Sequence, residues 1–308
     1  MDERYHVPVL ANEIVSFWIT DPQGIYLDGT LGGGGHAERV LHKLKPEARY
    51  IGIDRDTEAI AFARRRLAAF PNITFYRGTF TQMEDAMRQA DADALDGILL
   101  DLGVSSRQID DDDRGFAFRP GVRLDMRMDP DEPLTAVEIL NSYEEEGLRR
   151  IFREYGEERL AGRIARRVVT ERQKHPIERS GQLMRIIDGC VDARFATKSY
   201  ARIFQALRIV VNRELEQLKT ALQNSLPLLK RGGRLAVISY HSLEDREVKN
   251  FFKHNEDPCT CPPELPYCVC GKKPLIKRIK PFLIRPGEEE IKQNPRARSA
   301  KLRIGEKI

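Results

Sequence analysis

Apolar residues in this chain gather in short runs at 25–27, 50–53, 73–76 and 98–100. Stretches of helical period lie between them, such as 58–69, and this alternation predicts a parallel α/β sheet with helices packed on it. A further strand is predicted at 234–239, after a turn at 230–233. The span between Gly103 and Gly233 far exceeds the roughly dozen residues that a parallel crossover needs, so something is inserted there. Within it Leu160, Ile164 and Val168 recur every four residues, while Arg159, Arg163, Arg166 and Arg167 lie off that stripe, the pattern of an amphipathic helix. The expected organisation is a discontinuous sheet domain, residues 1–105 with 213–308, around a helical insert at 106–212. A helix over 203–222, with Glu214 and Lys219 only loosely placed to pair, would return the chain to the sheet. After Asp245 a helix through Phe252 leads into a cysteine-bearing loop, and 275–284 and 300–304 read as late, antiparallel strands.

Composition narrows the class. A length of 308 residues with 41% apolar content suffices for one large or two ordinary domains with a packed core. Basic residues number 51 and acidic ones 47, a formal charge of +4, so any nucleic-acid surface must come from local clustering. No apolar stretch approaches the ~20 residues of a membrane span, and the first residues, MDERYHVPVL, lack a basic region followed by an apolar run. A soluble, cytoplasmic protein with no membrane partner is expected. Five cysteines, Cys190 alone and four from Cys259 to Cys270, fit a reducing compartment.

The first strand ends in Asp28, four glycines follow at Gly32 to Gly35, and the second strand ends in Asp54. Glycines where a strand turns into a helix let the backbone approach a ligand that side chains would obstruct. An acid about 20 positions on, at the end of the second strand, suits the hydroxyls of a ribose. Gly32, Gly34 and Ala37 satisfy the dinucleotide pattern G-x-G-x-x-G/A, which alone is weak evidence. Asp28 tips the choice by its sign: a carboxylate at the mouth of the turn repels a pyrophosphate but suits S-adenosylmethionine, which carries an ammonium and a sulfonium. A merely flexible glycine loop is the plain alternative.

Three segments, DGTLGGGGH at 28–36, LLDLGVSSRQIDD at 99–111 and ISYHSLEDR at 238–246, together resemble the MraW family. So do RGFAFRPGVRLDMRMD at 114–129, YGEERLAGRIAR at 155–166 and NPRARSAKLR at 294–303, which extend the resemblance over nearly the whole chain. Members of that family methylate the N4 amino group of a cytidine in the decoding region of 16S rRNA. The resemblance implies a class I S-adenosylmethionine-dependent methyltransferase domain, Rossmann-like with a mostly parallel sheet, carrying a helical recognition insert. Carried over by motif, it implies cofactor contacts at Gly34, Gly35, His36, Asp54, Phe80, Asp101 and Gln108. The adjacent Gly33 and Gly34 depart modestly from some relatives without removing a contact group. Its partner would be 16S rRNA or the small ribosomal subunit, with no obligate protein partner.

The lone pair of a cytosine N4 amine is delocalised into the ring, so an acceptor for its hydrogens should ease rehybridisation as the methyl arrives. Asp101, ending the fourth strand at the edge where α/β sheets bind ligands, is the catalytic candidate. The sulfonium is already activated, so positioning and water exclusion would supply most of the acceleration. His241, just past the fifth strand, is the second catalytic candidate; in the plain alternative Ser242 caps the next helix, Asp245 completes a capping box, and His241 only packs. Phe80 would face the adenine or else sit in the core. Phe116, Phe118 and Tyr240 are candidate stacking groups, and basic clusters at 163–167, 272–280 and 296–303 are candidate phosphate contacts or solvated surface. The acidic run at 110–113 would pair with Arg107 or Arg114, hold a cation, or be a solvated loop. Cys259, Cys261, Cys268 and Cys270 form two C-x-C pairs that suit a structural zinc or a reduced, redox-sensitive loop. Rival functions are an N-methyltransferase for DNA or another RNA, a non-catalytic cofactor-binding ribosome-assembly factor, and, more distantly, a dinucleotide oxidoreductase.

Overall fold

The computed structural model describes residues 8–262, 267 and 269–308. Contacts divide it into two compact units, Met1–Gly103 with Leu215–Ile308, and Val104–Glu214. The first holds a seven-stranded sheet. Its strands are β1 (Ile25–Asp28), β2 (Arg49–Asp54), β3 (Ile73–Arg77), β4 (Leu95–Asp101), β5 (Leu229–Ser239), β6 (Ile276–Arg278) and β7 (Lys301–Lys307). They lie in the order β3-β2-β1-β4-β5-β7-β6. The first five are parallel, and β7 runs antiparallel to both β5 and β6. The fold class is α/β with a mostly parallel sheet.

The central strands read as unbroken apolar runs because both faces are covered, and their alternation assigns each residue to a face. Leu27, Ile51, Ile53, Ile98, Leu100, Leu235 and Val237 join the core on one side with helical Met83, Met87, Leu222 and Phe252. Tyr26, Tyr50, Leu99, Ala236 and Ile238 join the other, with Ile14, Trp18, Val40 and Leu67. The helix Ala11–Trp18, which the apolar pattern did not single out, lays Trp18 over Gly97. A Cβ on Gly97 would stand 2.6 Å from the Trp18 Nε1, so glycine is what permits this close packing. Trp18 Nε1 donates to the Arg234 carbonyl at 3.1 Å.

In the second unit the helices Ala136–Ser142, Glu145–Glu154, Ala161–Arg172, Ser180–Asp188 and Ala196–Val211 surround one core that includes Leu148, Phe152, Ile164, Val168, Leu183, Ile203 and Leu207. The expected stripe is shortened: Ile164 and Val168 are buried, but Leu160 precedes the helix and is 39% exposed. The helix expected over 203–222 is two helices, Ala196–Val211 and Glu214–Leu228. The break falls at Arg213, whose φ is 50°, and Asn212 turns its side chain to the strap beneath it. There Asn212 Oδ1 accepts from the Met128 N–H and its Nδ2 donates to the Met126 carbonyl, both at 2.8 Å. Glu214 pairs with Arg208, and Lys219 with Glu247, rather than with each other.

Candidate active site

Parallel strands deliver their last residues to one edge, and ligands bind where the strand order reverses. Here that point lies between β1 and β4, which end in Asp28 and Asp101. The turn after β1 runs into the helix Gly35–Leu41. Gly32 and Gly34 have φ of 52° and 76°, values that L side chains adopt at a cost. A Cβ on Gly34 would also meet Leu67 at 2.9 Å. Asp54, at the end of β2, holds this turn: one oxygen accepts from the Gly32 N–H at 2.7 Å and the other from the Asp56 N–H at 2.9 Å. Burial nevertheless raises its pKa. A carboxylate has about four acceptor sites, so the Asp54 grip on the turn is compatible with a further donor.

Behind the turn lies a buried network. Asp28 accepts from the Thr30 N–H at 3.0 Å and the Tyr50 hydroxyl at 3.2 Å. Burial pushes its carboxyl from 3.8 up to about 6, against the opposing influence of His36 and the Thr30 hydrogen bond. Thr30 Oγ1 also accepts from the Asp101 N–H at 2.6 Å, tying the ends of β1 and β4 together. His36 is buried, with Nε2 2.8 Å from the Val9 carbonyl and Nδ1 3.5 Å from Asp101 Oδ2. Burial lowers the His36 pKa, Asp28 opposing it. The other Asp101 oxygen accepts from the Tyr240 hydroxyl at 2.9 Å, and burial keeps that phenol protonated by raising its pKa well above 10.0.

Of the residues singled out from sequence, Gly34, Gly35, His36, Asp54 and Asp101 therefore meet at one edge. Phe80 borders them: a Cβ on Gly29 would lie 2.9 Å from the Phe80 Cβ, and the ring is partly buried against the core. Gln108 belongs to the second unit, where its Oε1 accepts from the Ser105 N–H at 3.0 Å in a capping box. His241, not Ser242, caps the helix Ser242–Glu256. Its Nδ1 accepts from the Glu244 N–H at 3.4 Å and its Nε2 lies 3.1 Å from Glu244 Oε1. The box is completed by Glu244 rather than Asp245, which instead holds Lys301 and Arg303. Thr30 and Tyr50 were missed, and Tyr240 was read as a stacking ring; only their place beside the strand-end acids reveals their hydrogen bonds.

Elsewhere, Asp110 and Asp112 pair with Arg119, at 3.3 and 3.0 Å. Phe118 packs edge-on against Phe204, ring centroids 5.8 Å apart. The sulfurs of Cys259, Cys261 and Cys270 lie within 4.8 Å of one another; Cys268 lies outside the described residues. Among the described residues no helix is long and apolar enough to cross a membrane.

Residues 3–308 match the model of the MraW methylase family. The protein named ribosomal RNA small subunit methyltransferase H in Clostridium botulinum (strain Loch Maree / Type A3) is 46% identical over 308 residues, covering 99% of this chain and 100% of that protein. Its namesake in Trichlorobacter lovleyi is 47% identical over 312 residues, covering 100% of both chains. The namesake in Caldicellulosiruptor bescii is 46% identical over 304 residues, covering 98% of this chain and 99% of that one. With its glycine turn, its strand-end acids and nearly its whole length matched in this way, the chain belongs to the MraW methylase family.

Proposed function

We propose that the protein transfers the methyl group of S-adenosylmethionine to the N4 amino group of a cytidine in the decoding region of 16S rRNA. The names of its relatives support small-subunit rRNA as the substrate. The observation that carries the chemistry is Asp101, at the end of β4, held between His36 and Tyr240 beside the glycine turn.

The residues fit this donor. The turn at Gly32 and Gly34, both at positive φ, presents backbone rather than side chains, and the buried Asp28 offers negative charge with no lysine or arginine beside it among the described residues. Such a site favours a sulfonium and an ammonium over a pyrophosphate, which disfavours the dinucleotide reading. When bound, S-adenosylmethionine supplies an activated methyl; the protein's part is placement and proton handling.

A carbonyl only accepts, so the His36 nitrogen facing Val9 carries the hydrogen. Neutral His36 then turns a lone pair at Nδ1 toward Asp101 Oδ2. Their 3.5 Å separation exceeds the ~2.8 Å of a charge-assisted hydrogen bond, as expected of two acceptors with no proton between them. Asp101 accepts an N–H of the cytosine amine. As N4 bonds to the methyl carbon the S–CH3 bond breaks, its electron pair staying on the departing S-adenosylhomocysteine, and the amine sheds one proton, which Asp101 takes and shares with His36 Nδ1. Tyr240 holds the second Asp101 oxygen and fixes the orientation of the carboxylate. His241, whose nitrogens both face its own helix start, acts as a positioning residue for Tyr240 and the loop.

The test is methyl transfer from labelled S-adenosylmethionine to small ribosomal subunits from cells lacking this protein, followed by nucleoside analysis. N4-methylcytidine is expected. Label on DNA or another RNA in preference would replace the substrate, and absence of any label with the cofactor bound would favour an assembly factor.

A further inference from the structure

Beside Tyr240 is a cavity of about 320 Å³ whose lining includes Ser242, Arg285, Arg298, Ser299 and Lys301. No carboxylate lines it. Most arginines of this unit are engaged: Arg66 with Glu38, Arg234 with Glu306, and Arg303 with Asp245. Arg285 and Arg298 differ, for both are exposed and among the described residues neither has a hydrogen-bond or ion-pair partner. Lys301 is shared with Asp245 at 3.1 Å, but Asp245 is also held by Arg303 at 2.8 Å. The nearby acid Glu244 is buried and faces inward, accepting from the Tyr240 and His241 N–H groups. The cavity also meets the start of the 15-residue helix Ser242–Glu256, the positive end of its dipole.

Two unengaged guanidiniums, a lysine, two hydroxyls and a helix start form a receptor for a tetrahedral oxyanion, because the planar fork of arginine matches phosphate oxygens. One tyrosine separates it from the candidate catalytic carboxylate: Tyr240 lines the cavity and donates to Asp101. A nucleotide whose base amine meets Asp101 also carries phosphates, which need a cationic site close to that amine. We propose that Arg285, Arg298 and Lys301 bind an RNA phosphodiester next to the target cytidine, an inference that rests on the proposed RNA substrate.

The test compares wild type with an Arg285→Gln/Arg298→Gln double variant in methyl transfer to unmodified small subunits over a range of salt. A 10- to 100-fold loss in kcat/KM, carried by KM, is expected. The slope of log kcat/KM against log salt should fall by about 0.7, the contribution of one single-strand phosphate contact. The melting-temperature rise with S-adenosylhomocysteine should persist, and Arg285→Lys/Arg298→Lys should recover most of the salt dependence. An unchanged KM and slope would overturn the proposal. Should the double variant lose its response to S-adenosylhomocysteine, Arg298→Gln alone is read by the same criteria. Anisotropy with a decoding-region RNA bearing a neutral methylphosphonate beside the target separates this site from the reaction. Weaker binding of the neutral RNA by wild type but not by the variant supports the site even if no methyl is transferred. Equal binding, with inorganic phosphate alone raising the melting temperature through the arginines, would mean a free-phosphate site and end the RNA assignment.

A separate observation concerns the loop after the helix Ser242–Glu256. Cys259 and Cys270 place their sulfurs 4.0 Å apart, and Cys261 completes a triangle within 4.8 Å. Thiolates on a tetrahedral zinc, bound at ~2.3 Å, stand about 3.8 Å apart. The geometry points to a zinc held by these three thiols, with one tetrahedral position left for a further ligand. Protein purified without chelator from zinc-supplemented cells should contain about one zinc per chain. Cys259→Ser should release it and speed proteolysis within 257–275. Wild-type protein devoid of zinc, with all thiols free, would overturn the assignment.

Discussion

Each unit buries acids, and these acids are not all treated alike. In the helical unit Glu158 accepts from the Leu160 N–H and the Ser199 hydroxyl, both at 2.9 Å, with Arg202 at 3.6 Å. Glu214 there receives a two-pronged Arg208, both contacts at 2.8 Å. In the sheet unit Asp28 has hydroxyl and amide donors but no lysine or arginine among the described residues, and burial raises its pKa to about 6. Where charge serves the fold in Glu158 and Glu214, as in Asp96 of the sheet unit beside Lys230, a fixed cation accompanies it. Where it faces the proposed ligand edge it remains uncompensated, and the protein tolerates the instability that results.

The sharpest way to break this contrast is Asp101→Ala. It should lower single-turnover methyl transfer by ~10²–10³-fold, the scale of a lost transition-state contact, while the melting rise with S-adenosylhomocysteine stays within a degree or so; a rate within threefold of wild type would refute the role. On the helical side, Arg208→Met strands Glu214, 8% exposed, and should cost about 3 kcal/mol in urea unfolding. A loss under 1 kcal/mol would show that the pair is not needed.

Asp28→Asn should act in the opposite direction. The folded state holds the Asp28 proton more tightly than the unfolded chain, so wild-type stability falls as pH rises from about 4 to about 6 and is level above that. The rise from 3.8 to about 6 corresponds to at most about 3 kcal/mol. The asparagine variant should therefore gain ~1–2 kcal/mol at pH 7 and lose that gain below pH 4, while binding S-adenosylmethionine more weakly. A variant destabilised equally at both pH values would place Asp28 with the structural acids. The mildest probe is Tyr240→Phe, which frees one Asp101 oxygen and should slow transfer by roughly tenfold with little change in cofactor binding; unchanged rate and orientation-dependent parameters would make Tyr240 packing alone.

Much of this edge was legible in the sequence, for a physical reason. A doubly covered parallel strand must be apolar throughout, and its terminal acid then stands out, as Asp28, Asp54 and Asp101 do. Glycines at positive φ likewise announce a turn. Readings failed where a side chain chooses among partners remote in sequence. Arg119, which the sequence reading did not connect to the acidic run, was found on Asp110 and Asp112. The apolar period runs smoothly through 212–213, so nothing local revealed that Asn212 leaves the helix to hold Met126 and Met128. The His241 cap escaped notice because histidine is not among the usual capping residues, although Glu244 three positions on was the available signal.

The position of β7 bears on how the chain is made. It is the last strand in sequence, yet it lies between β5 and β6 and is hydrogen-bonded to both. During translation, which delivers about 5–20 residues each second, the outer edge of β5 must wait while some sixty further residues emerge. In that interval its row of N–H and C=O groups is an open template for pairing with another nascent chain. Truncation before Lys301 would make the interval permanent, turning a transient hazard of synthesis into an aggregation-prone product.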